Sequence, residues 1–436
     1  MSEAIREFFA GKTVGILGYG REGKSTHAFL RRHFPEMPIV IADKVPLNIS
    51  DSNVRLLCGE NYLDILKQCD ICIKTPGVPL RGVLIPATVH ITCQTDLFLR
   101  FADCVTIGVT GSKGKTTTTT LIYLMLKASG AEALLMGNMG LPVLDCLEEA
   151  TGKTACIEMS SHQLQFTAKS PHIAVWTNLY EEHLDHYDGG FIGYAAAKAN
   201  ICLHQTAQDY FISNASQDLQ ALTDISGCKA NRITVSPNEN KRNAFLDTLY
   251  GLSPRLKGEH NRQDIYYAAT AALLAGATED GIRQALRDFE GIPHRMDLLG
   301  TYAGIRWVDD CITTIPEGVL LTVDALEDVD TLIIGGQDRG LDYHTFAKGL
   351  ASRPLRNLVC LPDTGYAIAD LPALRESGKT IIRCDTMIDA IATSLAHTAP
   401  GKICLLSPAA ASYNRYKNFE EKGAHFKACI EELTDA

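Results

Sequence analysis

Residues 105–117, VTIGVTGSKGKTT, constrain the fold more than any other stretch of the chain. A β-branched apolar run enters a glycine-rich loop, and the loop opens into TTTLIYLMLKA, which reads as a helix. A strand feeding a loop and then a helix is the first half of a βαβ unit, and such units build parallel sheets. The backbone N–H groups of such a loop, with the helix N-terminus behind them, form a cradle for phosphate oxygens. Lys115 is placed to reach the β- and γ-phosphates, and the Thr116 hydroxyl to ligate Mg²⁺. The usual G-x-x-x-x-G-K-[ST] spacing requires glycine at Val109. Here the first glycine is Gly111, which leaves the shorter G-x-x-G-K-T. Gly111, Ser112, Lys113, Gly114, Lys115, Thr116 and Thr117 are therefore the candidate ATP loop.

The same alternation runs through the rest of the chain. Strand-like runs at 13–18, 38–43 and 70–74 form one group, and those at 105–109, 154–159, 172–176 and 209–213 a second. Runs near 305–310, 331–334, 357–361 and 403–406 form a third, with helical patterns between, such as 262–276 and 281–289. An α/β protein with mainly parallel sheets is predicted, in three domains over 1–93, 94–291 and 292–436. The 436 residues allow about three domains at roughly 150 residues each.

Composition narrows the classes further. At 46% apolar and 21% charged the chain is too apolar for disorder, yet no apolar run nears the ~18 residues that span a bilayer. The start, Met1-Ser-Glu-Ala-Ile, lacks a signal-peptide pattern, so a cytoplasmic protein without membrane insertion is expected. With 51 acidic and 41 basic residues, the net charge of −10 disfavours a general nucleic-acid binder. The 14 cysteines are scattered, which suits reduced core residues. Cys69 and Cys72 have C-x-x-C spacing, but no second pair follows and Ile71-Cys72-Ile73 reads as a buried strand.

A second phosphate signature lies near the N-terminus. Gly18-Tyr-Gly-Arg-Glu-Gly23 follows a strand and precedes a helix, with Asp43 twenty residues beyond Gly23. That is the dinucleotide-binding fingerprint. Alone it suggests an NAD enzyme, but no partner motif for hydride transfer accompanies it.

The shortened ATP loop resembles that of the Mur ligase and folylpolyglutamate synthase superfamily. Gly137-Asn-Met-Gly140, Glu158-Met-Ser-Ser-His-Gln-Leu164, Asn178-Leu-Tyr-Glu-Glu-His-Leu-Asp185, Ala197-Lys198, Gly258-Glu-His-Asn261 and Pro293-His-Arg295 occur in that family's order and spacing. The most diagnostic segment is Ser407-Pro-Ala-Ala-Ala-Ser-Tyr-Asn-Arg-Tyr-Lys-Asn-Phe-Glu420, which is similar to the glutamate-adding branch of the Mur ligases. The resemblance covers essentially the whole chain.

It implies an N-terminal Rossmann-like UDP-binding domain, a central P-loop ATPase-like domain and a C-terminal Rossmann-like domain. The implied reaction is ATP-dependent ligation of glutamate to UDP-N-acetylmuramoyl-L-alanine through an acyl phosphate, by a monomer, in peptidoglycan synthesis. By resemblance, Thr116 and Glu158 share one Mg²⁺, while His183 and a carbamylated Lys198 hold a second. Asn261 faces the adenine, Arg295 the nucleotide phosphates and Asp310 the ribose. Gly18, Tyr19, Arg21, Glu22, Asp43, Thr75 and Gly77 surround the UDP, and Asn138, Ser160 and Gln163 contact the diphosphate and sugar. Thr314, Arg339, Ser412 and Phe419 form the glutamate site.

Departures cluster at the rim. The family's Asp-Ser-Lys-Ala-Thr-Asn is here Asp310-Cys-Ile-Thr-Thr-Ile315, so the lysine is Ile312 and the asparagine Ile315. His162 replaces a phenylalanine, and Asp264 stands where the family often has a second asparagine. D-glutamate is favoured from the matches at Ser412 and Phe419. The alternatives are L-glutamate, or another amide ligase of the superfamily such as a folylpolyglutamate synthase.

Overall fold

The computed structural model describes residues 3–139, 141–182, 186–216, 224, 227–235, 244–314, 316–338 and 341–434. The chain divides into two compact units, Met1–Phe289 and Glu290–Ala436. The first unit carries two sheets and the second carries one.

The first sheet has the order β3-β2-β1-β4-β5, with β1 Val14–Leu17, β2 Ile39–Asp43, β3 Val54–Cys58, β4 Ile71–Lys74 and β5 His90–Thr92. Its strands are all parallel. The order reverses between β1 and β4, so the loops after these two strands flank the crevice where such sheets take their ligands. The second sheet runs β11-β10-β9-β6-β8-β7. Its strands are β6 Val105–Thr110, β7 Ala133–Gly137, β8 Thr154–Glu158, β9 Ile173–Trp176, β10 Tyr210–Ser213 and β11 Asn231–Thr234, again all parallel. Its central strands are buried along nearly their whole length because helices cover both faces. One apolar core runs through both sheets, from Phe9 and Ile16 to Ile157 and Trp176.

In the second unit the order is β12-β13-β17-β14-β15-β16, with β12 Asp297–Tyr302, β13 Ile305–Asp309, β14 Val329–Ile334, β15 Asn357–Cys360, β16 Thr380–Arg383 and β17 Ile403–Leu406. The β12–β13 hairpin is antiparallel and the other pairings are parallel.

The sequence reading found eleven of these strands and missed β3, β5, β7, β11, β12 and β16. The two long helical patterns fall at Glu259–Leu274 and Glu279–Arg287. Cys72 lies inside β4 as a buried residue, and all fourteen cysteines are free thiols.

Candidate active site

The phosphate-type loop joins β6 to the helix Lys115–Ala128. Gly114 caps that helix at a φ of 82°. A Cβ there would also stand 2.3 Å from Asp264 Oδ1, so only glycine lets the helix Glu259–Leu274 pack this closely. Asn178, just past β9, clamps the loop. Its carbonyl accepts from the Ser112 N–H at 3.1 Å, its Oδ1 accepts from the Lys113 N–H at 2.8 Å, and its Nδ2 donates to Lys113 O at 3.1 Å. The Ser112 hydroxyl donates to Tyr180 O at 3.0 Å and lies 2.9 Å from Tyr194 OH. Ser112 therefore serves the loop's own shape. Lys113 Nζ pairs with Glu182 at 2.6 Å.

The parallel register sets Glu158, at the end of β8, opposite Val109 on β6. Its buried carboxylate accepts from the Thr116 hydroxyl at 2.8 Å and from Asn138 Nδ2 at 2.7 Å. A hydroxyl and a carboxylate in contact beside a phosphate-type loop are the hard oxygen donors Mg²⁺ takes. Among the described residues no group of three or more His, Cys, Asp or Glu is placed to hold a metal ion. His183, the expected second-metal ligand, lies outside the described residues.

Two lysines converge on one carbonyl. Lys115 Nζ donates to Gly111 O and to Ser112 O, both at 2.9 Å. Lys198 Nζ donates to the same Gly111 O at 2.7 Å and lies 4.8 Å from the centre of the Tyr194 ring. Lys198 is 1% exposed. Burial, and then the neighbouring Lys115 charge, hold its pKa well below the ordinary lysine value, against the opposing pull of Glu182 and Glu158. Thr117 is buried on the loop helix, and the buried Asn261 donates through Nδ2 to Lys257 O at 2.7 Å.

The other residues expected at the UDP end line the β1–β4 crevice and the neighbouring second sheet. The Tyr19 N–H donates to Asp43 Oδ2 at 2.7 Å, which ties the loop after β1 to the end of β2. The Thr75 hydroxyl donates to Leu17 O at 3.0 Å and packs against Gly18, while Gly77 faces open space. Arg21 reaches Asn138 O at 3.3 Å. Glu22 accepts from Gln163 Nε2 at 2.7 Å, and Gln163 forms a capping box with Ser160 at the helix Ser161–Leu164. Glu22 Oε2 is buried with no hydrogen-bond partner among the described residues, and burial raises the Glu22 pKa. The buried Lys74 has its pKa lowered to about 8 by desolvation.

The second unit holds the remaining candidates. Asp310 is buried, and its carboxylate accepts from Thr322 Oγ1 at 2.9 Å, Ser407 Oγ at 2.7 Å and the Met296 N–H at 3.2 Å. Both of its oxygens are thus engaged, by groups on the helix Pro316–Ala325, just after β17 and just before β12. Arg295 sits in the turn between Ile292 and Met296, where His294 binds Asp309 at 2.6 Å. Thr314 is half-buried beyond β13. Ser412 is 3% exposed, and its hydroxyl has no partner among the described residues. Phe419 opens the helix Phe419–Thr434, edge-on to His294. Arg339 lies outside the described residues.

The Mur ligase middle domain family matches residues 109–272. The UDP-N-acetylmuramoylalanine–D-glutamate ligase of Symbiobacterium thermophilum is 33% identical over 409 residues, covering 87% of this chain and 88% of that protein. The chain belongs to the Mur ligase family. The enzyme of the same name from Geobacillus kaustophilus is 32% identical over 98% of this chain and 99% of its own. Among solved structures, UDP-N-acetylmuramate-alanine ligase MurC from Thermotoga maritima superposes with a TM-score of 0.60 at 18% identity, covering 97% of this chain and 100% of its own. That likeness shows the fold.

Within this Mur ligase, motif reading overlooked several groups that shape the site. Tyr194 had a readable signal, since its i, i+4 spacing to Lys198 places the two on one helix face. Asn178 and Glu182 lay inside a recognised motif without a role. Lys74 and Lys422 had no local signal, because their significance comes from distant neighbours.

Proposed function

We propose that this Mur ligase joins D-glutamate to UDP-N-acetylmuramoyl-L-alanine, with ATP as the activating co-substrate, in peptidoglycan precursor synthesis. The observation that carries the reading is the convergence of Lys115, Lys198, Thr116 and Glu158 around the Gly111 loop. The shared name of its full-length relatives supports the choice of amino acid.

The chemistry follows from charge. A carboxylate is a poor electrophile, so the γ-phosphoryl group of ATP passes to it first. The glutamate amine then attacks the acyl phosphate carbon, the C–N bond forms, and phosphate leaves. Lys115 offsets the charge on the transferring phosphoryl group, and the loop N–H groups orient it. Thr116 and Glu158 would hold one Mg²⁺, and His183 with a carbamylated Lys198 a second; such ions would supply positive charge against the phosphate oxygens. Lys198 suits carbamylation because burial, and then the Lys115 charge, lower its pKa and so favour the uncharged amine that reacts with CO₂. In the uncharged amine the nitrogen lone pair attacks the carbon of CO₂, the nitrogen then loses one proton, and an anionic carbamate results. The unpartnered Ser412 hydroxyl, with Arg339 and Phe419, takes the distal carboxylate of glutamate, and Thr314 the α-carboxylate. Asn261 serves the adenine, Arg295 the phosphates and Asp310 the ribose. The loops after β1, β2 and β4 serve the UDP. We assign residues 1–93, 94–291 and 292–436 to the UDP, ATP and glutamate domains, and place the enzyme in the cytoplasm as a monomer.

Phosphate release with UDP-N-acetylmuramoyl-L-alanine and each glutamate enantiomer tests the reading. Turnover should require both substrates and Mg²⁺. Turnover with L-glutamate alone would trace to Ile312 and overturn the enantiomer; none with either overturns the ligase assignment. Arg339→Ala removes a charge-assisted contact of roughly 1.5–3 kcal/mol, so glutamate KM should rise ~10- to 150-fold. An unchanged KM removes Arg339 from the site.

A further inference from the structure

Glu158 is held from two sides, and both supports lead back to one dipeptide beside the first sheet. On one side the turn after β7 lies directly against it. Gly137 has a φ of 109°, and a Cβ there would stand 2.3 Å from Glu158 O. The next residue, Asn138, donates its N–H to Glu158 O at 2.9 Å and its Nδ2 to Glu158 Oε1 at 2.7 Å. The Asn138 carbonyl in turn accepts from Arg21 Nη2 at 3.3 Å. On the other side, two residues past Glu158, the Ser160 N–H donates to Gln163 Oε1 at 3.0 Å. Gln163 Nε2 donates to Glu22 Oε1 at 2.7 Å. The buried Gln94 fixes Glu22 from behind, donating to its carbonyl at 2.8 Å.

We propose that Arg21 and Glu22, which open the helix Arg21–His33 at the Gly18–Gly23 fingerprint, are positioning residues for Glu158, so that this loop also sets the affinity of the Mg²⁺ site. The ligands named here rest on the ligase reading above; the hydrogen bonds do not.

Among the described residues the Glu158 side chain has two partners, and one of them, Thr116, is itself a proposed Mg²⁺ donor. Asn138 is left to aim the carboxylate. A metal ligand held by an outer partner binds its ion more tightly, since its geometry is set before the ion arrives. The Arg21 arm fixes the turn that carries Asn138. The Glu22 arm fixes the turn that follows Glu158, so the carboxylate stands between two anchored segments. The arms cross 117 and 141 positions of the chain.

The test measures binding of Mn²⁺ with ADP to the full-length protein, by calorimetry and by the Mn²⁺ spin-resonance signal, with no UDP-sugar present. Residues that only face the UDP-sugar would leave this binding at the wild-type value. Asn138→Ala, which removes the direct support, should weaken it about 10- to 100-fold. Glu22→Ala and Arg21→Ala, one step further out, should each weaken it about 2- to 30-fold. Glu22→Gln keeps an acceptor for Gln163 and should regain most of the loss. Gln163→Ala combined with Glu22→Ala should be no worse than either alone, because both break one chain. Arg21 is exposed, so Arg21→Ala carries the test if Glu22→Ala fails to fold. Unchanged Mn²⁺·ADP affinity in a folded Glu22→Ala or Arg21→Ala, or no recovery in Glu22→Gln, overturns the positioning role. Wild-type protein that binds no Mn²⁺·ADP overturns the nucleotide site itself.

Discussion

Lys198 and Lys422 are both buried lysines, and each donates to a glycine carbonyl at 2.7 Å, Gly111 in the first unit and Gly335 in the second. Their surroundings differ in sign. Lys198 shares its carbonyl with a second cation, Lys115. Lys422 sits near Asp309 and Cys311, whose negative forms favour its charge, and its pKa falls only to about 8. Burial destabilises both ammonium groups. At Lys198 the neighbouring cation adds to that penalty, whereas at Lys422 the neighbours offset part of it. The first arrangement favours the uncharged, nucleophilic form of the amine. The second keeps a charge that ties the last helix to the turn after β14.

The largest effect that could break this contrast is at the loop. Lys115→Ala should lower turnover by about 10²–10³-fold or more while leaving the fold intact. Near-normal ligation would detach the loop from phosphate transfer. It should also raise the Lys198 pKa, because a like charge is gone.

Lys198→Ala should be similarly inactive, but short carboxylic acids should restore part of the rate by filling the place of the carbamate. The same acids should do nothing for Lys115→Ala. Equal rescue of both variants would mean that Lys198 works as a cation, as Lys422 does.

Gly423→Ala tests the second unit. A Cβ at Gly423 would stand 2.2 Å from His294 Nδ1 and 2.4 Å from Asp309 Oδ2, so it must part that pair. The hydrogen bond to Asp309 raises the His294 pKa, so parting the pair should lower it. A loss of about 1–3 kcal/mol in urea unfolding is expected, the usual scale for a buried polar group left unpaired. Wild-type stability would show that the helix shifts freely and that the Lys422 surroundings are loosely held.

The smallest effect concerns pH. Lys422 has a folded pKa of about 8 against an ordinary 10.5, so between those values the unfolded chain binds more protons. Stability therefore rises with pH across that window, and the full burial penalty is present below it. Relative to Lys422→Met, the wild type should gain about 1.4 kcal/mol per pH unit between pH 8 and 10.5 in denaturant titrations. A flat difference would show that Lys422 keeps its charge at no penalty.

Eleven strands were legible in the sequence, and the six that were not are the two edges of each sheet. Central strands lie between two partners and two helical layers, so they read as continuous apolar runs such as residues 71–73 or 403–406. Edge strands β3, β11 and β16 are only partly buried and carry polar residues, which erases that signal. β7 is apolar, but Ala133, Leu134, Leu135 and Met136 are strong helix formers, so only its pairing with β8 makes it a strand.

The sequence alone determined the α/β architecture, the phosphate-type loop and most of the residues around it. Those signals are local: apolar period, glycine placement, and lysine and threonine at set distances from a strand end. Tertiary structure decided which polar groups act and which support. It placed Asp310 within three hydrogen bonds, left the Ser412 hydroxyl without one among the described residues, and buried Lys198 in a helix where residues 194–200 look solvent-compatible. Burial and charge at a side chain depend on residues far away in the chain. Lys198 meets Gly111 across 87 positions, and no window of sequence contains that contact.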